Sequence, residues 1–401
     1  MVLLQSPDRR AVASSPRPGR FPALDGLRGI ASLIVVAHHV MLCDPQIWLA
    51  QIGNTAPAQG TWRWYAMYTP LHALWGGTEA VYVFFVLSGL VLVLPYVSAP
   101  TGDWTSYYAK RTVRLYAPVV LATAVAVAWA VVIPRDALDG ASGWLTGLGR
   151  SGISTDFVVR DLWLLSSPGH FNSVLWSLKW EVVFSALLPL FVVAGRVARL
   201  PVALGIVSMA ALSALGAFVG HDVLRFMPMF GAGVLVTFAG DRSWFVHRLQ
   251  RSGVVTQLGL TVVSVCLLVA PWLASGRLER LGRSSNAAID TTTRFLSVSG
   301  AALLVLVVMH GRRPCAVFSG RSLRWLGSRS FSLYLVHEPF VVSMAYLMGP
   351  RPNMVVFAAV CVGGSLVLAE AFWRLCERAT QRWANAAGRW AARRAQVLAR
   401  M

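Results

Sequence analysis

The chain has 401 residues, 56% of them hydrophobic and 13% charged, with 36 Lys and Arg against 17 Asp and Glu and a formal net charge of +19; its mean hydropathy is +0.59. This composition excludes an ordinary soluble domain and a disordered chain, and fits an all-α polytopic membrane protein. Nucleic-acid binding is a poor explanation of the charge, because the basic residues are dispersed among loops and do not form one patch.

The segment through Arg20 contains Pro7, Pro16, Pro18 and four arginines. It lacks the apolar core and small-residue cleavage site of a signal peptide, so residues 1–23 read as a flexible basic cytoplasmic leader. Apolar runs follow at about 27–43, 80–97, 114–133, 173–195, 200–219, 223–240, 253–274, 293–310, 330–348 and 354–373. Most approach the length a spanning helix needs, which predicts about ten transmembrane helices. With the N-terminus inside, most of the 36 basic residues fall in the leader, the even-numbered loops and the tail, so both termini are expected in the cytoplasm. The expected organisation is therefore a leader at 1–23, a transmembrane domain at 24–378 and a basic tail at 379–401, the tail forming a surface helix beside anionic lipid. A multi-pass location in the cell membrane follows.

Arg28 and His39 share the first run. Eleven residues at 100° each bring them to within about 20° on the helical wheel, with His39 about 16 Å deeper and near the midplane of a ~30 Å core. Ionisable groups at that depth are tolerated mainly in polar interiors, so the pair points to chemistry, against the simpler reading of a buried hydrogen-bonded histidine. His38 lies about 80° away on the wheel from Arg28. In the long outer segment 44–79, Trp48, Trp62, Trp64, Tyr65, Tyr68, His72 and Trp75 either offer faces for sugar rings or form the interfacial aromatic belt. The other long outer segment is 134–172.

Arg111 and Arg114, with Lys110, stand at the inner end of the third run with i, i+3 spacing. They either clamp the phosphates of a nucleotide-bearing substrate or anchor the helix on the inside. The fourth run, entered from outside, brings Glu181 about 12 Å down, at a depth similar to His39. There it orients the imidazole or forms a structural interhelical salt bridge. In the ninth run His337 lies about 10 Å from the inner boundary, with Tyr334 at i−3 to it and i−4 to Glu338 and with Pro339 just beyond; this polar cluster is a cavity wall or a structural hydrogen-bond knot. Cys43, Cys266, Cys315, Cys361 and Cys376 have no metal-ligand spacing, so neither a metal site nor a disulfide framework is expected.

These elements together resemble the integral-membrane acyltransferase 3 family. Arg28 and His39 match its R-x10-H signature, and the stretch Gly76 to Gly89, ending Leu87-Ser88-Gly89, is similar to its second-helix motif. Arg111-x-x-Arg114 is similar to its R-x-x-R segment, and Trp176-Ser177-Leu178 with Glu181 to W-S-L-x-x-E. Ser332-Leu333-Tyr334-Leu335 with His337 and Pro339 is similar to S-L-Y-L-x-H-x-P, and Glu377-Arg378 to the closing acidic-basic pair. The matches run in family order from residue 24 to 378. Glu79 and Ala379 depart from the pattern; with an end near residue 401 the extra SGNH domain of some relatives is not expected, and the resemblance implies the bacterial cytoplasmic membrane as the location.

The resemblance implies transfer of an acyl group, usually acetyl, from cytoplasmic acyl-CoA to a hydroxyl of a sugar or glycosylated molecule, with no permanently bound cofactor. It implies His39 as general base or acyl carrier, Arg28 and Glu181 shaping its surroundings, and Arg111 and Arg114 holding CoA phosphates. Ser88, Tyr334 and His337 would line the channel, although small-residue packing also accounts for Ser88. The competing classes are a transporter or flippase relaying protons through midplane groups, and a scaffold of envelope assembly.

Overall fold

The computed structural model describes residues 21–97, 102–135, 138–148, 152–166, 169–198, 200–239, 243–281 and 287–398, so the expected leader lies almost wholly outside the described residues. Among these, every regular element is a helix. The longer ones are α1 (Pro22–Leu42), α2 (Gly77–Val93), α3 (Trp104–Val132), α4 (Leu175–Val197), α5 (Val202–Phe218), α6 (Asp222–Ala239), α7 (Val254–Leu268), α8 (Ala270–Arg280), α9 (Ala287–His310), α10 (Arg321–Met348), α11 (Met354–Phe372) and α12 (Arg378–Leu398).

Seven described helical stretches are long and apolar enough to cross a membrane, or eight if a bent pair counts as one span. Ten were expected. The fifth run forms only the 17 residues of α5, about 26 Å of helix against a ~30 Å core. The seventh run is interrupted: α7 and α8 meet at 64°, with Pro271 in the first turn of α8, where it cannot donate to a continuous ladder. The last helix does not stop at the expected end of the membrane domain. A π-turn at Trp373–Glu377 carries α11 into α12, which lies against α3 with Gly388 facing Ser106 and Lys110.

Local chemistry sets the helix starts, at the expected residue for α11 but ten residues before the expected run at 114–133 for α3. Pro22 opens α1, Asp103 caps α3 by accepting from the Ser106 amide at 2.9 Å, and Asn353 caps α11 through the Val355 and Val356 amides. The core between α2, α4 and α6 is a stack of Phe85 on Phe230 at 4.6 Å and Phe230 on Phe184 at 4.5 Å between ring centroids.

The contact that positions the site is between α1 and α10. They run side by side in the same direction: Gly26 faces Phe318 and Leu323, Gly29 faces Gly327, and Gly327 in turn faces the Asp25 backbone. A methyl group added at Gly29 would lie 2.7 Å from the Gly327 nitrogen, so the approach requires glycine on both helices. Gly29→Val is accordingly expected to destabilise the protein by about 1–3 kcal/mol through overpacking. A thermal melt in detergent beside wild type checks this; an unchanged melting temperature would mean the helices separate at little cost.

Candidate active site

From the glycine contact, ten residues along each helix lead to His39 on α1 and His337 on α10, a climb of about 15 Å on both. Equal rise on parallel helices brings the two imidazoles together. His337 Nε2 lies 3.1 Å from His39 Nδ1, and both rings are buried. Each ring's Nδ1 also faces the carbonyl four residues earlier, Val35 for His39 and Leu333 for His337, both at 2.9 Å. A carbonyl only accepts, so each Nδ1 carries hydrogen in the neutral rings. His337 Nε2 then accepts from His39 Nδ1–H, and the His39 Nε2 lone pair is left over, engaged by no hydrogen bond of the described residues. This is the form a general base or a nitrogen nucleophile needs. Trp144, from the segment after α3, has its ring centroid 5.4 Å from that of His39.

His38 points elsewhere. Its Nδ1 donates to the Trp75 carbonyl at 3.2 Å, tying α1 to the segment before α2. In that segment Trp64, His72 and Trp75 are buried, and the Trp64 indole donates to Glu279 at 2.7 Å. These three are therefore packing residues and do not offer open faces to sugars. Glu79, the residue out of family pattern, accepts from the Trp272 indole at 2.9 Å and so fastens α2 to α8.

Nearer the Arg28 end lies a cavity of about 500 Å³ lined by Arg28, Arg111, Arg114, Ser88, Glu181 and Tyr334, together with Asp25, Ser177, Trp373, Glu377 and Gln381. Three guanidinium groups from α1 and α3 thus face one space, which suits a polyanion. Arg111 is already committed on one side: it forms an ion pair with Glu181 and donates through Nε to Ser185 at 2.9 Å. Ser88 donates to the same Glu181 carboxylate. Glu181 is therefore bound into the basic cavity, and no hydrogen bond of the described residues joins it to His39. Of the two readings of Glu181, the contacts here are those of the interhelical salt bridge: its depth along the helix is similar to that of His39, but α4 presents this side chain to α2 and α3. The side chain that meets His39 is His337.

Tyr334 connects the two regions. Its hydroxyl donates to the Val174 carbonyl at 3.0 Å and lies 2.6 Å from Ser177 Oγ, while its ring centroid is 6.1 Å from that of His337. Glu377, from the π-turn, accepts from Ser332 and from Gln381 at 2.9 Å. Its place in the cavity was legible only as half of a sequence motif, since a π-turn has no simple sequence signature.

Fold and site define a multi-pass helical membrane protein with a basic intramembrane cavity and a buried imidazole pair. The chain belongs to the acyltransferase 3 family: the family model, described as an acyltransferase domain, matches residues 21–374. Among curated proteins it is 25% identical over 356 residues to YrhL of Bacillus subtilis, provisionally named a peptidoglycan O-acetyltransferase, covering 80% of this chain and 48% of the relative. It is 22% identical over 387 residues to the peptidoglycan O-acetyltransferase OatA of Listeria monocytogenes, covering 89% and 55%. It is 26% identical over 378 residues to the O-acetyltransferase PaAT-1 of Phomopsis amygdali, covering 82% and 73%. The chain spans about half the length of the first two relatives. No solved structure matches it.

Proposed function

We propose that this protein is a membrane O-acyltransferase that moves an acyl group, acetyl in the first instance, from acyl-CoA to a hydroxyl of a sugar or glycosylated acceptor. The observation that carries this reading is the His39–His337 contact at 3.1 Å, which leaves His39 Nε2 as a lone pair beyond a cavity with three arginines. The O-acetyltransferases among the relatives supply the reaction class. In this scheme acyl-CoA enters from the cytoplasmic side. Its phosphates meet Arg28, Arg111 and Arg114, and its thioester extends past Tyr334.

The step balances in two ways. As general base, His39 Nε2 takes the acceptor hydroxyl proton while the oxygen attacks the thioester carbonyl, and the imidazolium returns that proton to the departing CoA thiolate. As acyl carrier, Nε2 attacks the thioester first and CoA leaves as its thiolate; the hydroxyl oxygen then attacks the acyl carbon, the bond to nitrogen breaks, and the hydroxyl proton passes through the freed imidazole to the CoA thiolate. His337, accepting from His39 Nδ1–H, fixes the tautomer in both schemes.

The test is protein in nanodiscs with radiolabelled acetyl-CoA and soluble peptidoglycan fragments or other glycosides. Labelled ester on the glycan is the expected product. No ester with any acceptor, alongside transport of an intact glycan, would replace the enzyme reading with a transporter.

A further inference from the structure

On the far side of the imidazole pair from the basic cavity, several polar groups are buried with hydrogen-bonding capacity unused. Glu338, the residue after His337, accepts from the Val174 amide at 3.1 Å through Oε2 and lies near Ser173, but its Oε1 has no hydrogen-bond partner among the described residues. Asn172 donates to the Leu335 carbonyl at 2.7 Å, and its Oδ1 is unpartnered. Both residues are 1% exposed. Arg135, just past α3, has Nε and both terminal nitrogens buried and unpartnered. Burial pushes its guanidinium pKa down, and the Glu338 carboxylate acts against that shift. The two charges therefore sense one another, yet no ion pair among the described residues joins them.

Neighbouring contacts place these groups in one region. Trp129 of α3 packs on Phe340 of α10 with ring centroids 5.8 Å apart, and residues 138–148 pack on Val40, Val341 and Ala345. The Arg135 guanidinium leaves donors unused, and Glu338 and Asn172 leave acceptors unused, with no hydrogen bond shared between the two sets among the described residues. Such groups are ordinarily satisfied, so their open valences call for an occupant. A bare anion is repelled by Glu338 and a bare cation by Arg135. A neutral group carrying several hydroxyls satisfies both the donors and the acceptors, because each hydroxyl both donates and accepts. Trp144, beside His39, adds an aromatic face of the kind that packs against a sugar ring.

We propose that Arg135, Glu338 and Asn172 form an acceptor subsite that takes a neutral, hydroxyl-rich ring, a sugar, and presents one of its hydroxyls to His39. This rests on the acyl-transfer reading for the role of His39, but the sugar site itself is measurable without turnover. Of the three, only Glu338 stands out in the sequence, as part of the polar cluster with Tyr334 and His337 beside Pro339; Arg135 and Asn172 stand in the long outer segment outside any motif.

The experiment uses full-length protein in nanodiscs with chitotetraose and maltotetraose as probes, followed by calorimetry, and acetyl transfer to the bound sugar in parallel. Wild type is expected to bind at least one probe. Arg135→Gln and Glu338→Gln are each expected to weaken that binding at least tenfold and to raise the acceptor KM in proportion, with the acetyl-CoA KM unmoved. Asn172→Asp, nearly the same size, gives an independent reading should Arg135→Gln fail to fold, and is expected to weaken binding as well. Wild-type transfer with acceptor KM unchanged in all three variants overturns the subsite and leaves the enzyme reading intact. Sugar binding lost in the variants without any transfer in wild type upholds the subsite and removes the enzyme reading. Failure of both probes to bind, or equal binding of inorganic phosphate, overturns the proposal.

Discussion

His39→Ala is expected to lower acyl transfer by about 100- to 10,000-fold, the range associated with loss of a positioned general base, while the protein still accumulates and folds. The alanine leaves His337 Nε2 without its donor and removes the lone pair that faces the acceptor side. The variant discriminates among function classes as well as mechanisms. A scaffold would complement a deletion strain with alanine at 39, whereas an enzyme would not. In the proposed mechanism His337 acts through His39 as a positioning residue, since its Nε2 meets Nδ1 and leaves Nε2 of His39 open. His337→Gln, which can still accept from His39, is therefore expected to retain more activity than His337→Ala at equal protein level. Equal loss in both variants would indicate that His337 serves packing alone. Initial rates with acetyl-CoA and a glycan acceptor in nanodiscs supply the comparison.

Arg114→Ala is expected to raise the KM for acyl-CoA by about 10- to 100-fold, the equivalent of one charge-assisted hydrogen bond of about 1.5–3 kcal/mol, with little change in melting temperature. Arg114 lines the cavity, and no hydrogen bond is recorded for it among the described residues. Arg111 differs, because its guanidinium holds Glu181 and Ser185. Arg111→Ala should therefore lower the melting temperature as well as raise the donor KM, because the Glu181 carboxylate loses its cation in a mostly buried position. Dephospho-CoA and desulfo-CoA analogues titrated against both variants separate phosphate recognition from general loss of charge. A donor KM unchanged in Arg114→Ala would place the phosphates elsewhere.

The comparison of the two arginines shows what spacing can and cannot decide. Their i, i+3 relation placed both on one helical face, and that face does border the cavity. Which of them is occupied by a carboxylate depends on where α4 passes, and nothing local to α3 records this. Glu181 illustrates the same limit from the other side. Its depth was derivable from 1.5 Å per residue, but depth gives one coordinate out of three, and the side chain turned toward α2 and α3 instead of α1. The helix count differed for a related reason: hydropathy marks apolar stretches, whereas the 64° break between α7 and α8 is set by how that stretch packs.

The sequence by itself determined the all-helical membrane class, the family, and the short list of polar residues from which the site is built, because burying charge in an apolar segment is costly enough to stand out residue by residue. Tertiary structure alone decided the partnerships. His39 and His337 are 298 positions apart, and they meet because Gly29 and Gly327 let two parallel helices touch backbone to backbone ten residues below. That register is a property of the packed pair and is absent from either helix read singly.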